Sequence, residues 1–230
     1  MDGAYYLGQP MTIPVITGSP TFLHEEALYT EGYDLVAGID EVGRGPIAGP
    51  VVAAAVLLDP TNIPAGLADS KKLTARRREA LYDIIMVQAQ VAIASVPAAD
   101  IDRINIRQAT HKAMLNAWNG LWGALSVSIP ARQRPFALVD GNDAPALFCP
   151  VRTIIKGDAL VASIAAASIV AKVTRDRMMR ELHSEYPLYG FVNHAGYPTS
   201  FHREALERHG PCPFHRFSFG PVARCQFSQQ

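Results

Sequence analysis

Apolar positions divide this chain into strand-length runs and helix-spaced stretches. Residues 35–42 and 51–58 are almost continuously apolar, as buried strands are, and residues 91–96, 136–139 and 151–155 are shorter runs of the same kind. Gly43-Arg44-Gly45-Pro46 and Gly49-Pro50 mark turns between the first two. Thr74 is placed to cap a helix running to about Gln90. Ile106, Ala109, Ala113, Ala117 and Leu121 recur every three or four positions and predict a helix from Ile104 to about Leu121. A long helix is expected from Asp158 or Ala159 to about His183, and a short one from Thr199 or Ser200 to His209. Residues 184–198 read as loop. Residues 1–33 lack sustained periodicity and are expected to be a flexible extension ahead of a catalytic domain over 34–220, with 221–230 as a tail. Strands alternating with helices predict an α/β fold, a mixed sheet with helices on its faces and a small helical C-terminal part.

Composition narrows the class. The 230 residues are 49% hydrophobic and 18% charged, which fits a globular protein with a sizeable core. The apolar stretch 159–171 is too short to cross a bilayer and reads as a buried helix, so no membrane role is expected. The first residues carry no Lys or Arg ahead of an apolar segment, and three cysteines (Cys149, Cys212, Cys225) cannot all pair, so a reducing cytoplasm is the expected location. The net charge of zero hides an asymmetry. Residues 1–43 hold seven acids and no Lys or Arg, while the rest holds 21 basic and 14 acidic residues, a net +7. A basic body around an acid-lined pit suits a polyanion; an imbalance confined to a loose leader is the other reading.

The candidate chemistry centres on Asp40 and Glu41, two adjacent acids inside an apolar strand. Acids there cost stability unless compensated, and a metal ion is the usual compensation. Asp140 and Asp158 each follow an apolar run, at strand ends where α/β sheets assemble sites. Asp140 could equally belong to an ordinary Asp-Gly turn, and Asp158 could be an ordinary helix cap. Oxygen ligands without a nearby His or Cys favour Mg²⁺ or Mn²⁺, and a pair of such ions suits phosphodiester hydrolysis. Neighbours on a strand point to opposite faces, so Asp40 and Glu41 are expected to share a site only if the strand ends or twists there. Gly43-Arg44-Gly45 lets backbone N–H groups and one fixed cation approach an anion.

These residues resemble the opening motif of type 2 ribonuclease H (ribonuclease HII): Asp40-Glu41-Val42-Gly43-Arg44-Gly45 with Ala48-Gly49-Pro50. Asp69-Ser70-Lys71-Lys72-Leu73, Val139-Asp140-Gly141-Asn142, Lys156-Gly157-Asp158, Ala166-Ala167-Ser168-Ile169-Val170-Ala171-Lys172, Gly196-Tyr197-Pro198-Thr199 and His215-Arg216-Phe217-Ser218-Phe219 follow in order. The resemblance covers about residues 34–220. It implies an RNase H-like fold and a metal-dependent endonuclease acting on RNA/DNA hybrids and on single ribonucleotides in duplex DNA, cut on the 5′ side to leave 3′-hydroxyl and 5′-phosphate ends. By the same resemblance Asp40, Glu41, Asp140 and Asp158 are the metal ligands, residues 43–45 sense the 2′-hydroxyl, and Tyr197 packs on the neighbouring deoxyribose. The 2′-hydroxyl is what marks RNA at such a site. Ala195 stands where family members commonly carry Lys. The type 3 relative, with its longer N-terminal domain, and a hybrid-binding protein that has lost catalysis are the alternatives.

Five cations lie within eight residues: Lys71, Lys72, Arg76, Arg77 and Arg78. Lys71 and Lys72 are assigned to phosphate binding, and Arg76 to Arg78 to a surface paired with Glu79 and Asp83. Lys172, Arg175 and Arg216 are further candidates for phosphate contacts. His209, Cys212, His215 and Cys225 match no standard zinc spacing, and His215 is expected to order the tail by hydrogen bonding. Trp118 and Trp122 are expected to pack. A monomer is the expectation, and Gln226-Phe227-Ser228 is too short to establish a sliding-clamp motif.

Overall fold

The computed structural model describes residues 18–126 and 133–227. Its centre is a five-stranded sheet of β1 (Leu35–Val42), β2 (Val51–Leu57), β3 (Gln90–Val96), β4 (Pro135–Asp140) and β5 (Val151–Ile154), ordered β3-β2-β1-β4-β5. β1 pairs antiparallel with β2 and parallel with β4; β2–β3 is antiparallel and β4–β5 parallel. The sheet is therefore mixed, as expected.

Side-chain alternation along β1 sorts its residues between two cores. Ala37 and Ile39 face α4 (Ile106–Ser126), packing with Ala113, Met114, Ala117 and Trp118. On the other face α6 (Ala162–Glu185) lies against β1 and β2, and its Ala-rich first half packs with Ala54 and Val56 and with α2 (Ala75–Gln88). The approach is close at Gly38, where a Cβ would stand 2.2 Å from the Ser163 carbonyl carbon. Trp118 is buried, and Trp122 packs edge-on against Phe148.

Several boundaries differ from expectation. Residues 23–30 form helix α1 (Leu23–Thr30), so the second half of the expected flexible extension is docked structure; residues 1–17 lie outside the described residues. Its anchor is Glu25, fully buried, whose Oε1 accepts from the Ser163 N–H at 2.8 Å. The helix expected from Ile104 is α4, starting at Ile106, and an unexpected short helix α3 (Ala98–Ile104) precedes it, the two separated by Asn105, which has φ +66°. The long helix is two, α5 (Gly157–Leu160) and α6, because Val161 is extended and bridges Thr21. Residues 187–189 form a 3₁₀ turn and Phe191–His194 a short α7 within the expected loop. Thr74 and Thr199 cap α2 and α8 (Ser200–His209) as read, each accepting at 3.3 Å from the N–H three residues on. The tail is helical over α9 (Gly220–Phe227). Residues 189–222 form a third core around Phe191, Leu206 and Val222. Ala48 bridges His215 antiparallel, which ties this C-terminal part to the turn after β1.

Candidate active site

β1 does not end at the acid pair; it continues through Val42. Asp40 and Glu41 therefore lie on opposite faces of one strand, contrary to the expected break. What brings them together is Asp140, at the end of the adjacent parallel strand β4, one residue past the Ile39–Val139 pair. Asp140 lies close enough to repel Asp40, Glu41 and Asp158. Asp158 sits in the first turn of α5, its N–H facing Asp140 Oδ1 at 3.4 Å. Lys156, in the left-handed conformation, starts that turn, so Asp158 is not the helix cap.

The electrostatics are those of four mutually repelling, largely buried carboxylates. Burial pushes the Asp40 carboxyl well above the usual carboxylate range, and Glu41 and Asp140 push it further. The nearby Ser168 hydroxyl and the Glu41 N–H, 2.7 Å from Asp40 Oδ1, work the other way. Burial raises Glu41 and Asp158 as well; Arg44 offsets part of it for Glu41, and Lys71 part of it for Asp158. Arg44 Nη1 is 3.5 Å from Glu41 Oε1, and Lys71 Nζ is 3.8 Å from Asp158 Oδ2. Among the described residues, no three His, Cys, Asp or Glu side chains converge closely enough to hold an ion as they stand. Two of the four carboxylates are turned toward these basic side chains. The donor chemistry fits a hard divalent cation, with four oxygen donors whose repulsion such an ion would relieve.

The expected substrate residues gather at the same end of the sheet. Arg44 and Gly45 are exposed, and a Cβ on Gly45 would stand 3.4 Å from Tyr197 Cε1, so the half-exposed Tyr197 ring borders the loop. Gly43, with φ +100°, is buried; a Cβ there would meet Pro50 O at 2.7 Å and Arg175 Nε at 2.4 Å. Lys71 and Lys72 are exposed on the loop before α2. A cleft of about 90 Å³ opens beside Glu41, Arg44 and Asp140. A second, of about 450 Å³, runs past Tyr197 along α6 and α7.

Arg175 and Arg216 are not phosphate contacts. Both are fully buried, and burial pulls their guanidinium groups down to about 10 and about 9, so both are charged at neutral pH. Arg216 donates to the carbonyls of Gly43 (2.6 Å), Arg44 (3.1 Å) and Gly49 (3.0 and 3.1 Å). Arg175 donates to Pro50 O (2.8 Å), Ala195 O (2.9 Å) and Ala48 O (3.1 Å). Two buried cations thus hold the carbonyl side of the Gly43-to-Pro50 turn. Lys172 is committed to Asp176 at 2.7 Å, and Glu79 pairs with Arg177 and Arg180 of α6 rather than with its own helix. Arg78 reaches back to Ser70 O and Leu73 O, at 2.6 and 2.7 Å, bracing the Lys71-Lys72 loop.

Sequence reasoning missed the far wall of the smaller cleft. There Arg107 grips Asp143 through both carboxylate oxygens, at 2.7 and 3.0 Å, and His111 Nε2 lies 3.0 Å from Asp143 Oδ2. The i, i+4 spacing of Arg107 and His111 on α4 was the available signal. His215 does order the C-terminal part by hydrogen bonds, to Cys212 and to His202.

Comparison with known proteins matches this arrangement. The Ribonuclease HII family model matches residues 37–222. The Ribonuclease HII of Xanthobacter autotrophicus is 57% identical over 205 residues, covering 89% of this chain and 79% of that protein. That of Rhizobium meliloti is 53% identical over 213 residues, covering 92% and 93%. The crystal structure of the ribonuclease H2 from Pyrococcus horikoshii superposes with a TM-score of 0.68 at 26% identity, covering 85% of this chain and 98% of that one. The chain belongs to the ribonuclease HII family, the type 2 ribonuclease H endonucleases that act on RNA/DNA substrates.

Proposed function

We propose that this endonuclease incises on the 5′ side of single ribonucleotides embedded in duplex DNA, besides cutting the RNA strand of hybrids, and leaves 3′-hydroxyl and 5′-phosphate ends. The observation that carries this reading is the four-acid cluster about Asp140 lying beside the Gly43-Arg44-Gly45 turn, exposed at Arg44 and Gly45, and the Tyr197 ring. Asp40, Glu41, Asp140 and Asp158 would hold Mg²⁺ or Mn²⁺, which when bound supplies an activated water and stabilises the leaving oxygen. Arg44, exposed over the cleft, is placed to meet a phosphate, and the N–H groups of residues 43–45 to meet the 2′-hydroxyl. A ring against a 2′-deoxy sugar gains contact that a hydroxyl would disturb, which suits Tyr197 to the DNA side of the junction. Lys71 and Lys72 would meet phosphates further along; partial burial pulls Lys71 down, but Asp158 and its neighbouring acids outweigh it and keep the ammonium charged.

The test is cleavage of a labelled DNA duplex carrying one ribonucleotide, in Mg²⁺, Mn²⁺ or EDTA. Metal-dependent incision 5′ of that nucleotide is expected, with Tyr197→Ala impaired there. Cutting of long hybrids alone would leave the carboxylate site standing and remove the roles of residues 43–45 and Tyr197.

A further inference from the structure

A line of hydrogen bonds runs from the Tyr197 main chain to the turn after β1, and the donors along it are fixed by its two ends. His202 Nδ1 is 2.9 Å from Tyr197 O. A carbonyl oxygen only accepts, so Nδ1 carries the proton and His202 Nε2 is an acceptor. His202 Nε2 is 3.0 Å from His215 Nε2, which must then be the donor. His215 Nδ1 is left as an acceptor, and the Cys212 N–H points at it from 3.0 Å; the Cys212 carbonyl oxygen, farther from the same nitrogen at 3.3 Å, then receives no hydrogen from it. The opposite tautomers would set lone pair against lone pair at Tyr197 and hydrogen against hydrogen at Cys212. Both rings are fully buried.

The next residue continues the line. The Arg216 N–H donates to Ile47 O at 2.8 Å while its guanidinium holds the Gly43 and Arg44 carbonyls. The Ile47 N–H in turn donates to Gly196 O at 2.9 Å, beside Tyr197. His215-Arg216 therefore grips both elements assigned above to reading the sugar on either side of a junction.

We propose that His202, His215 and Arg216 are positioning residues that fix the spacing between the Gly43-Arg44-Gly45 turn and the Tyr197 ring, and thereby set discrimination for an RNA-to-DNA junction. This rests on the roles proposed above for residues 43–45 and Tyr197. None of the three buried side chains reaches substrate; they act through the main chain they hold. A displacement of about 1 Å at such a site can cost on the order of 100-fold in rate.

The experiment compares kcat/KM on a duplex with one ribonucleotide and on a long RNA/DNA hybrid. His215→Gln places an amide N–H near the position of Nε2 and keeps the donor to His202. His215→Asn keeps only an acceptor for the Cys212 N–H. The ratio of junction to hybrid cleavage should fall roughly ten-fold in His215→Asn and stay within about two-fold of wild type in His215→Gln. His202→Asn, which keeps a donor to Tyr197 O but loses His215, should repeat the loss and stands in if His215→Asn does not fold. Equal losses on both substrates, or equal losses in the Gln and Asn variants, would show a packing role only and overturn the proposal. Wild-type ratios in Tyr197→Ala and Arg44→Ala would instead overturn the underlying reading, and this inference with it. A two-bond ¹⁵N–¹H spectrum of the wild-type protein should show His202 protonated on Nδ1 and His215 on Nε2; the opposite assignment also overturns the proposal.

Discussion

Asp140 faces three other acids, and it is the carboxylate whose removal relaxes the others. Asp140→Asn keeps an Oδ1 acceptor for the Asp158 N–H and removes one negative charge from beside Asp40, Glu41 and Asp158. In EDTA at pH 7 this variant should be more stable than wild type, because it removes the repulsion that Asp140 exerts on the three other carboxylates. Cleavage should be lost, and added Mn²⁺ should raise the melting temperature of wild type far more than that of the variant. A variant less stable in EDTA would mean that Asp140 is bound into the fold by contacts that outweigh the repulsion. Asp40 and Glu41 were legible from sequence because acids inside an apolar run have few explanations. Arg175 and Arg216 were misread, because nothing in a local pattern tells a buried guanidinium bonded to carbonyls from one aimed at a phosphate.

At the scale of elements, the site depends on how closely α6 lies on β1. Gly38 permits that contact, since its missing Cβ would stand 2.2 Å from the Ser163 carbonyl carbon and 2.3 Å from the Ile164 N, both main chain. Gly38→Ala should destabilise by about 3 kcal/mol in urea unfolding, at the upper end of ordinary overpacking; a loss under 1 kcal/mol would show that α6 can slide. Helix α1 holds the same stretch from outside. Among the described residues, Glu25 Oε2 and the Ser163 hydroxyl are buried with no well-formed hydrogen bond, and burial raises the Glu25 carboxyl above its ordinary 4.5, the neighbouring Ser163 side chain and N–H offsetting only part of it. A carboxyl raised in the folded state costs stability as pH rises above 4.5. Glu25→Gln keeps the acceptor for the Ser163 N–H and offers an amide to the hydroxyl. It should therefore be more stable than wild type by about 1–2 kcal/mol at pH 8, with the gap closing toward pH 4, as thermal melts across that range would show. Strands and the α4 and α6 bodies were readable because burial on a sheet writes long apolar runs. Helix α1 was not, because eight residues that include His24, Glu25, Glu26 and Thr30 gain their order from docking rather than from their own periodicity.

At the scale of the molecule, the C-terminal part is fastened over the end of the sheet by a buried network that tolerates no extra proton. Burial pulls both His202 and His215 down to about 4; His202 lowers His215 further, and His202 is itself lowered by His194, which stacks on it at 4.5 Å. The groups packed around the pair are His194, Tyr189, Phe191 and Cys212, with the Arg216 guanidinium one residue away; none is a carboxylate. The sign follows from proton counts. Unfolded, each histidine binds a proton below 6.5; folded, neither does until about 4. The unfolded state thus holds up to two more protons in that window, and this contribution to stability is complete above 6.5 and is lost as pH falls toward 4. Two protons correspond to a slope of at most about 2.7 kcal/mol per pH unit. The raised carboxyls of Asp40, Glu41, Asp158 and Glu25 have the opposite sign, so the wild-type curve alone mixes the two. The difference between wild type and a His202→Asn/His215→Asn double variant isolates the histidines. Urea midpoints between pH 7 and pH 4.5 should fall more steeply for wild type than for the double variant, whatever the variant's absolute stability. Parallel curves would mean that the rings are reached by water and titrate near 6.5, and the tautomers fixed at neutral pH would then be lost without consequence for the hold of the C-terminal part on the sheet.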